Sequence, residues 1–189
     1  MFAHELGVQY AFSPVLDLMS ADSRDYSGNP ALKLPVLTTD DDAVWYGTLH
    51  ICRELARRSQ LQRVIVWPEQ LIQPMTCNAQ ELVLHGMSAE VGLIMGSVGN
   101  TGEPSPYTVK SAASLHGTLA WLDQHWSTVI DALPPERDCS YLEVTAFCLV
   151  THLEFRQVLD VAPYTRLAHF VEAFGKRDCA LATPYRYDS

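Results

Sequence analysis

The sequence predicts a small α/β module followed by an all-helical domain. Short apolar strands separated by turn residues occupy the first third of the chain. Beyond Pro74 the composition changes to long stretches with apolar residues at helical spacing. A hydrophobic content of 48% with 19% charged residues gives the 189-residue chain enough apolar surface for a substantial core. The expected division is residues 1–60 for the first domain and 75–189 for the second.

Charge and composition exclude several functions. A formal net charge of -9, with no dense lysine or arginine cluster, argues against nucleic acid as a partner. No apolar run approaches the roughly 20 residues that span a bilayer, so no membrane partner is expected. Met1-Phe2-Ala3-His4-Glu5-Leu6-Gly7 lacks the basic-then-apolar pattern of a secretion signal. Cys52, Cys77, Cys139, Cys148 and Cys179 are scattered, with no C-x-x-C pair and no zinc spacing. Reduced thiols in the cytoplasm account for them most simply, and no metal is expected.

The elements follow in order. His4-Glu5-Leu6-Gly7 reads as the tail of a helix ending at a glycine. Residues 10–16 read as a short strand, placed at an edge by Pro14. Residues 20–29 are polar and read as loop or one loose helical turn. A strand at 34–37, an acidic turn at 40–42 and a strand at 43–46 form an antiparallel hairpin by their spacing. Pro35 heads the first of these strands. It has no amide hydrogen and is a candidate for a cis bond after Leu34. Gly47-Thr48 then opens a helix to about Arg58, with Leu49, Cys52 and Leu55-Ala56 on one face and Arg53, Arg57 and Arg58 towards the other. Thr48 is the expected N-cap.

Residues 59–74 connect the domains, with Val64-Ile65-Val66-Trp67 as an apolar plug between polar stretches. Residues 78–98 form a mostly apolar helix carrying Met87 and Met95, with small residues at Gly86, Ala89, Gly92 and Gly96. A loop at 99–106 precedes a second helix at 108–126, with a possible extra turn at 127–130. Ser140-x-x-Glu143 is a capping box that opens a strongly apolar helix ending near Phe155-Arg156. Apolar residues on nearly every side of it imply burial in the middle of a bundle. A last helix at 164–174 closes at Gly175, and a tail follows. His85, His116, His125 and His152 have no partnered metal spacing and read as structural or surface residues. Cys77 and Cys139 lie near helix starts without a base close in sequence.

This order of elements resembles the glutathione S-transferase family over nearly the whole chain. Asn29-Pro30 with Lys33-Leu34-Pro35-Val36-Leu37 is similar to the family's asparagine-proline and lysine-valine-proline-valine-leucine strand. Tyr46-Gly47-Thr48, followed by Ile51 and Leu55, is similar to its glutamate-serine helix start, with Gly47 standing where the family has a carboxylate. Ser140-x-x-Glu143, Phe155-Arg156 and Thr183-Pro184 also have family counterparts. The resemblance implies a thioredoxin-like N-terminal domain that lacks its first strand, followed by a glutathione-transferase-type helical bundle. It implies glutathione as co-substrate, bound by Lys33, Leu34, Pro35, Gly47 and Thr48, and conjugated to a small apolar electrophile lying against Met87, Glu90 and Met95. It also implies a homodimer. The residue that activates the thiol falls in the family segment that precedes this sequence, so none is assigned. The alternative is an inactive relative serving as a glutathione-binding or protein-interaction module.

Overall fold

The computed structural model describes residues 1–98 and 102–187. The chain divides into two units, Met1–Gln62 and Arg63–Ser189.

The first unit opens with a single helical turn, α1 (Phe2–Glu5), stopped by Gly7 at φ +63°. Glycine adopts that left-handed conformation without steric cost. The hydroxyl of Ser59 donates to the Leu6 carbonyl at 2.6 Å and ties this turn to the end of the unit. The strand expected at 10–16 does not form; the segment has no ladder partner among the described residues. A strand exists only through pairing, and here Phe12 and Leu16 stand 74% and 88% exposed. Within the polar stretch, Ser23–Tyr26 makes a 3₁₀ turn capped by Asp22. Tyr26, 3% exposed, donates its hydroxyl to the Leu18 carbonyl.

Strands β1 (Val36–Thr38) and β2 (Val44–Tyr46) form the antiparallel hairpin, in the register Val36 to Tyr46. β1 begins after Pro35, so the ladder loses no donor to the proline. The Leu34–Pro35 bond is cis. Helix α2 (Thr48–Arg58) buries Ile51, Cys52 and Leu55. Its N-cap is Gly47 at φ +82°, and Thr48 is the first helical residue, which corrects the expected capping role of Thr48. Glu54 is buried on the same face as the apolar residues, and both Arg57 and Arg58 reach back to its carboxylate.

In the second unit the apolar plug becomes β3 (Ile65–Val66), paired in parallel with β4 (Cys139–Ser140). Helix α3 (Pro74–Ser97) starts four residues earlier than its expected boundary. Pro74 occupies the first helical position, where its missing amide costs nothing. α4 (Pro106–Asp131) is likewise longer at both ends and begins on a proline capped by Ser105. The expected loop at 99–106 includes residues 99–101, which lie outside the described residues. α5 (Tyr141–Phe155), α6 (Thr165–Phe174) and α7 (Asp178–Leu181) complete the unit. The sequence pattern did not reveal α7, a single turn too short to show periodicity.

The core of this unit is built from Ala79 and Val83 of α3, Leu115, Leu119 and Leu122 of α4, and Leu142, Leu149 and Leu153 of α5. Fully burying each leucine contributes about 1.5–3 kcal/mol. Gly86 lets α3 approach α5: a Cβ there would lie 2.8 Å from Leu149 Cδ2. Only half of the expected capping box forms. Ser140 Oγ accepts the Glu143 amide at 3.0 Å, while the Glu143 carboxylate binds Arg137 and the Ser140 hydroxyl. α6 takes its cap from another helix: Asp123 of α4 accepts the amides of Arg166 and Leu167 at 2.7 and 3.0 Å.

Candidate functional site

Asn29 organises the approach to β1. It is 4% exposed; its side-chain amide donates to the Lys33 carbonyl at 2.7 Å and its oxygen accepts the Ala31 amide at 3.0 Å. Those two bonds close the loop at 29–33 and deliver Leu34 to the surface, 47% exposed. Neither the amide nor the carbonyl of Leu34 has a hydrogen-bond partner among the described residues. Exposed backbone groups at the head of a strand offer one donor and one acceptor to an extended ligand. Lys33 and Pro35 flank them on the exposed side.

The hairpin register brings a second feature alongside. Val36 pairs with Tyr46 at one end of the hairpin, so Leu34, two residues before β1, and Thr48, two residues after β2 and the start of α2, both adjoin that end. The amides of Thr48, Leu49 and His50 belong to the first turn, and no side chain caps them. Free first-turn amides and the positive end of the helix dipole favour an anion. The left-handed Gly47 turns the chain into this helix, a conformation that a glutamate could take only with strain. Unpartnered backbone groups ahead of β1 and an anion-seeking helix start thus adjoin the same end of the hairpin. Lys33, Leu34, Pro35, Gly47 and Thr48 all lie there. Asn29 is the residue that sequence reasoning quoted without giving it a role; an asparagine-proline pair ahead of an apolar strand was its signal.

The three residues expected around a second ligand are placed differently. Met87 and Met95 are half-buried, and Met87 packs against the core. Glu90 is 2% exposed and turned inward, its Oε1 2.8 Å from Nδ1 of His152. A buried carboxylate takes a hydrogen-bonding partner in this way to offset its desolvation. Tyr185 of the tail lies over the His152 ring at 4.9 Å and donates its hydroxyl to the Cys148 carbonyl, and burial pushes that phenol far above its ordinary range. Tyr187 packs on Phe155 at 4.7 Å. Burial likewise pushes the Cys148 thiol up, which keeps it protonated and unreactive. Cys52, Cys139 and Cys179 are buried, and the exposed Cys77 donates to the Leu71 carbonyl.

The family model described as the glutathione S-transferase N-terminal domain matches residues 1–58. A search of the curated proteins finds no match. Among solved structures, a glutathione S-transferase from Methylobacillus flagellatus with GSH bound aligns at a TM-score of 0.74, with 22% identity over 97% of this chain and 91% of that one. One from Methylobacterium radiotolerans, in complex with glutathione sulfonate, aligns at 0.72 with 18% identity, over 98% and 88%. A glutathione transferase family member from Pseudomonas fluorescens with bound glutathione aligns at 0.72 with 18% identity, over 98% and 91%. The fold is therefore the one expected, a thioredoxin-like N-terminal part with a short sheet followed by a helical bundle.

Proposed function

We propose, from the match of residues 1–58 to the glutathione S-transferase N-terminal domain model and from the fold of the chain, that this protein binds glutathione and joins its thiol sulfur to a small electrophile. The observation that carries the reading is that the open Leu34 backbone and the uncapped start of α2 adjoin the same end of the hairpin. The cysteinyl backbone of glutathione extends the sheet edge at Leu34, beside Pro35. Its γ-glutamyl carboxylate takes the amides after Gly47, with the Thr48 hydroxyl as a further donor, and Lys33 faces the glycyl carboxylate. These contacts fix the tripeptide and leave its thiol free to react. In the reaction the thiol gives its proton to solvent, the thiolate sulfur bonds the electrophilic carbon, and that carbon releases its leaving group with the bonding electron pair, as halide from an aryl halide. Met87 and Met95 offer apolar contact to the electrophile, and Glu90 acts only by setting their helix. A cytoplasmic homodimer completes the reading.

A second reading, a glutathione-binding or interaction module without turnover, is favoured by Gly47, which brings no carboxylate to the start of α2. Titration calorimetry with glutathione tests the binding claim. Heat of binding in the micromolar-to-millimolar range is expected, with Thr48→Ala weakening it about threefold to tenfold, as loss of one solvent-exposed hydrogen bond worth about 1 kcal/mol does. No heat from a folded sample at millimolar glutathione would sink the site. Given binding, turnover of an activated aryl halide separates the enzyme from the module.

A further inference from the structure

Between the C-terminal end of α5 and helix α6 the second unit carries a groove of about 600 Å³. That size lies within the roughly 300–1,000 Å³ of small-molecule sites. Its floor is apolar: Val150 is 4% exposed and belongs to the core, and Leu159, Val161 and Val171 pack half-buried against it. Its rim is acidic, with Glu154, Asp160 and Glu172, and no lysine, arginine or histidine lines it. Lys176 reaches Glu172 at 3.1 Å from outside the groove. The Glu154 carboxylate has no partner among the described residues, and Asp160 accepts only the Ala162 amide, which leaves its charge uncompensated. The last turn of α5 adds the negative end of a helix dipole. The Tyr164 hydroxyl registers this field: burial first, then Asp123 and Asp160, push its pKa up.

We propose that this groove binds a small amphipathic organic cation. The apolar body lies on Val150, Leu159, Val161 and Val171, and an ammonium or amidinium group meets Glu154, Asp160 and Glu172. The charge decides the class of ligand. An anion is repelled at the rim, and a neutral apolar molecule covers carboxylates without replacing their water, which is costly. This site is independent of the glutathione reading, which concerns an anion at the other unit.

The test is fluorescence titration of the full chain with 9-aminoacridine, a cation, against acridine-9-carboxylate, an anion with the same ring system. Saturable binding of the cation is expected, with the anion at least about tenfold weaker and the cation's affinity falling as salt rises. The double variant Glu154→Gln with Asp160→Asn weakens the cation about tenfold, since it removes two of three facing charges. Asparagine at 160 keeps the acceptor for the Ala162 amide, and Glu172→Gln repeats the test on an exposed helix face should the double variant fail to fold. Ala168→Phe, which fills the groove from α6, abolishes binding. Glu81→Gln with Glu103→Gln removes two charges elsewhere and leaves the affinity within about twofold. Equal binding of cation and anion would overturn the proposal. So would an equal loss in the distant double variant, or unchanged binding to Ala168→Phe; either result marks a diffuse attraction to a chain of net charge -9.

Discussion

Glu54 shows how far one side chain departs from its sequence appearance. By position it looks like a surface glutamate among arginines, yet it is 3% exposed. Hydrogen bonds from Arg57, and then from Arg58, lower its pKa from 4.5 to about 2. Arg58 also bonds Asp41 in the hairpin turn at 2.8 Å, so the carboxylate anchors α2 to the β1–β2 connection. A depressed carboxylate stabilises the fold above its unfolded pKa, and the contribution is lost as pH falls through the folded one. Acid titration of the thermal midpoint should therefore show a decline from about pH 4.5 down to about 2 that Glu54→Gln largely removes. The same variant should melt lower than wild type at neutral pH, because two guanidinium groups lose their charged partner. A neutral-pH midpoint unchanged by the substitution would contradict this.

At the scale of the element, helix α3 makes opposite predictions for two of its glycines. A methyl group at Gly86 would lie 2.8 Å from Leu149 Cδ2, a side chain that is 1% exposed and has little room to move. Overpacking of this kind costs about 1–3 kcal/mol, which outweighs the helix propensity of up to about 1 kcal/mol that alanine gains over glycine. Gly92 has nothing within 4 Å of the same added atom. Gly92→Ala should stabilise by about 0.5–1 kcal/mol in denaturant unfolding, and Gly86→Ala should destabilise. Both glycines read alike in the sequence. Helical spacing located α4, a long and mostly apolar run located α3, the capping box at Ser140 with apolar residues on nearly every side located α5, and the closing Gly175 located α6. These signals misplaced the starts at Pro74 and Pro106, since a proline is either a breaker or a first residue and only the backbone decides.

For the whole molecule, the two units differ in what holds them. The extended core cluster lies in the helical unit, whereas the first unit relies on small contacts such as Phe2, Leu6, Tyr26, Ile51 and Leu55. A domain of some 60 residues buries a smaller fraction of its surface and is marginal. Hydrogen exchange should reach the β1–β2 hairpin well before α5; equal protection of the two would argue for a single cooperative unit. The sequence conveyed the candidate corner at Leu34 and Thr48 because Leu34, Pro35 and Thr48 sit next to turns whose residue types have local meaning. It did not convey the acidic groove, which takes residues from the end of α5, the following loop and α6, and has no local pattern. It also suggested a strand at 10–16, because a short apolar segment shows only that pairing is feasible and carries no information about a partner.

The cap that Asp123 provides to α6 has a consequence for the order of events. A helix of ten residues is marginal alone, and its two first-turn amides find their acceptor only once α4 is already in place. α6 should therefore dock late, after the rate-limiting barrier of folding. Asp123→Ala, at a cost of about 1 kcal/mol, should then raise the unfolding rate roughly fivefold and leave the refolding rate almost unchanged. Stopped-flow chevrons of the two proteins would show this as a shift confined to the unfolding arm. A matching drop in the refolding arm would place α6 among the first contacts instead.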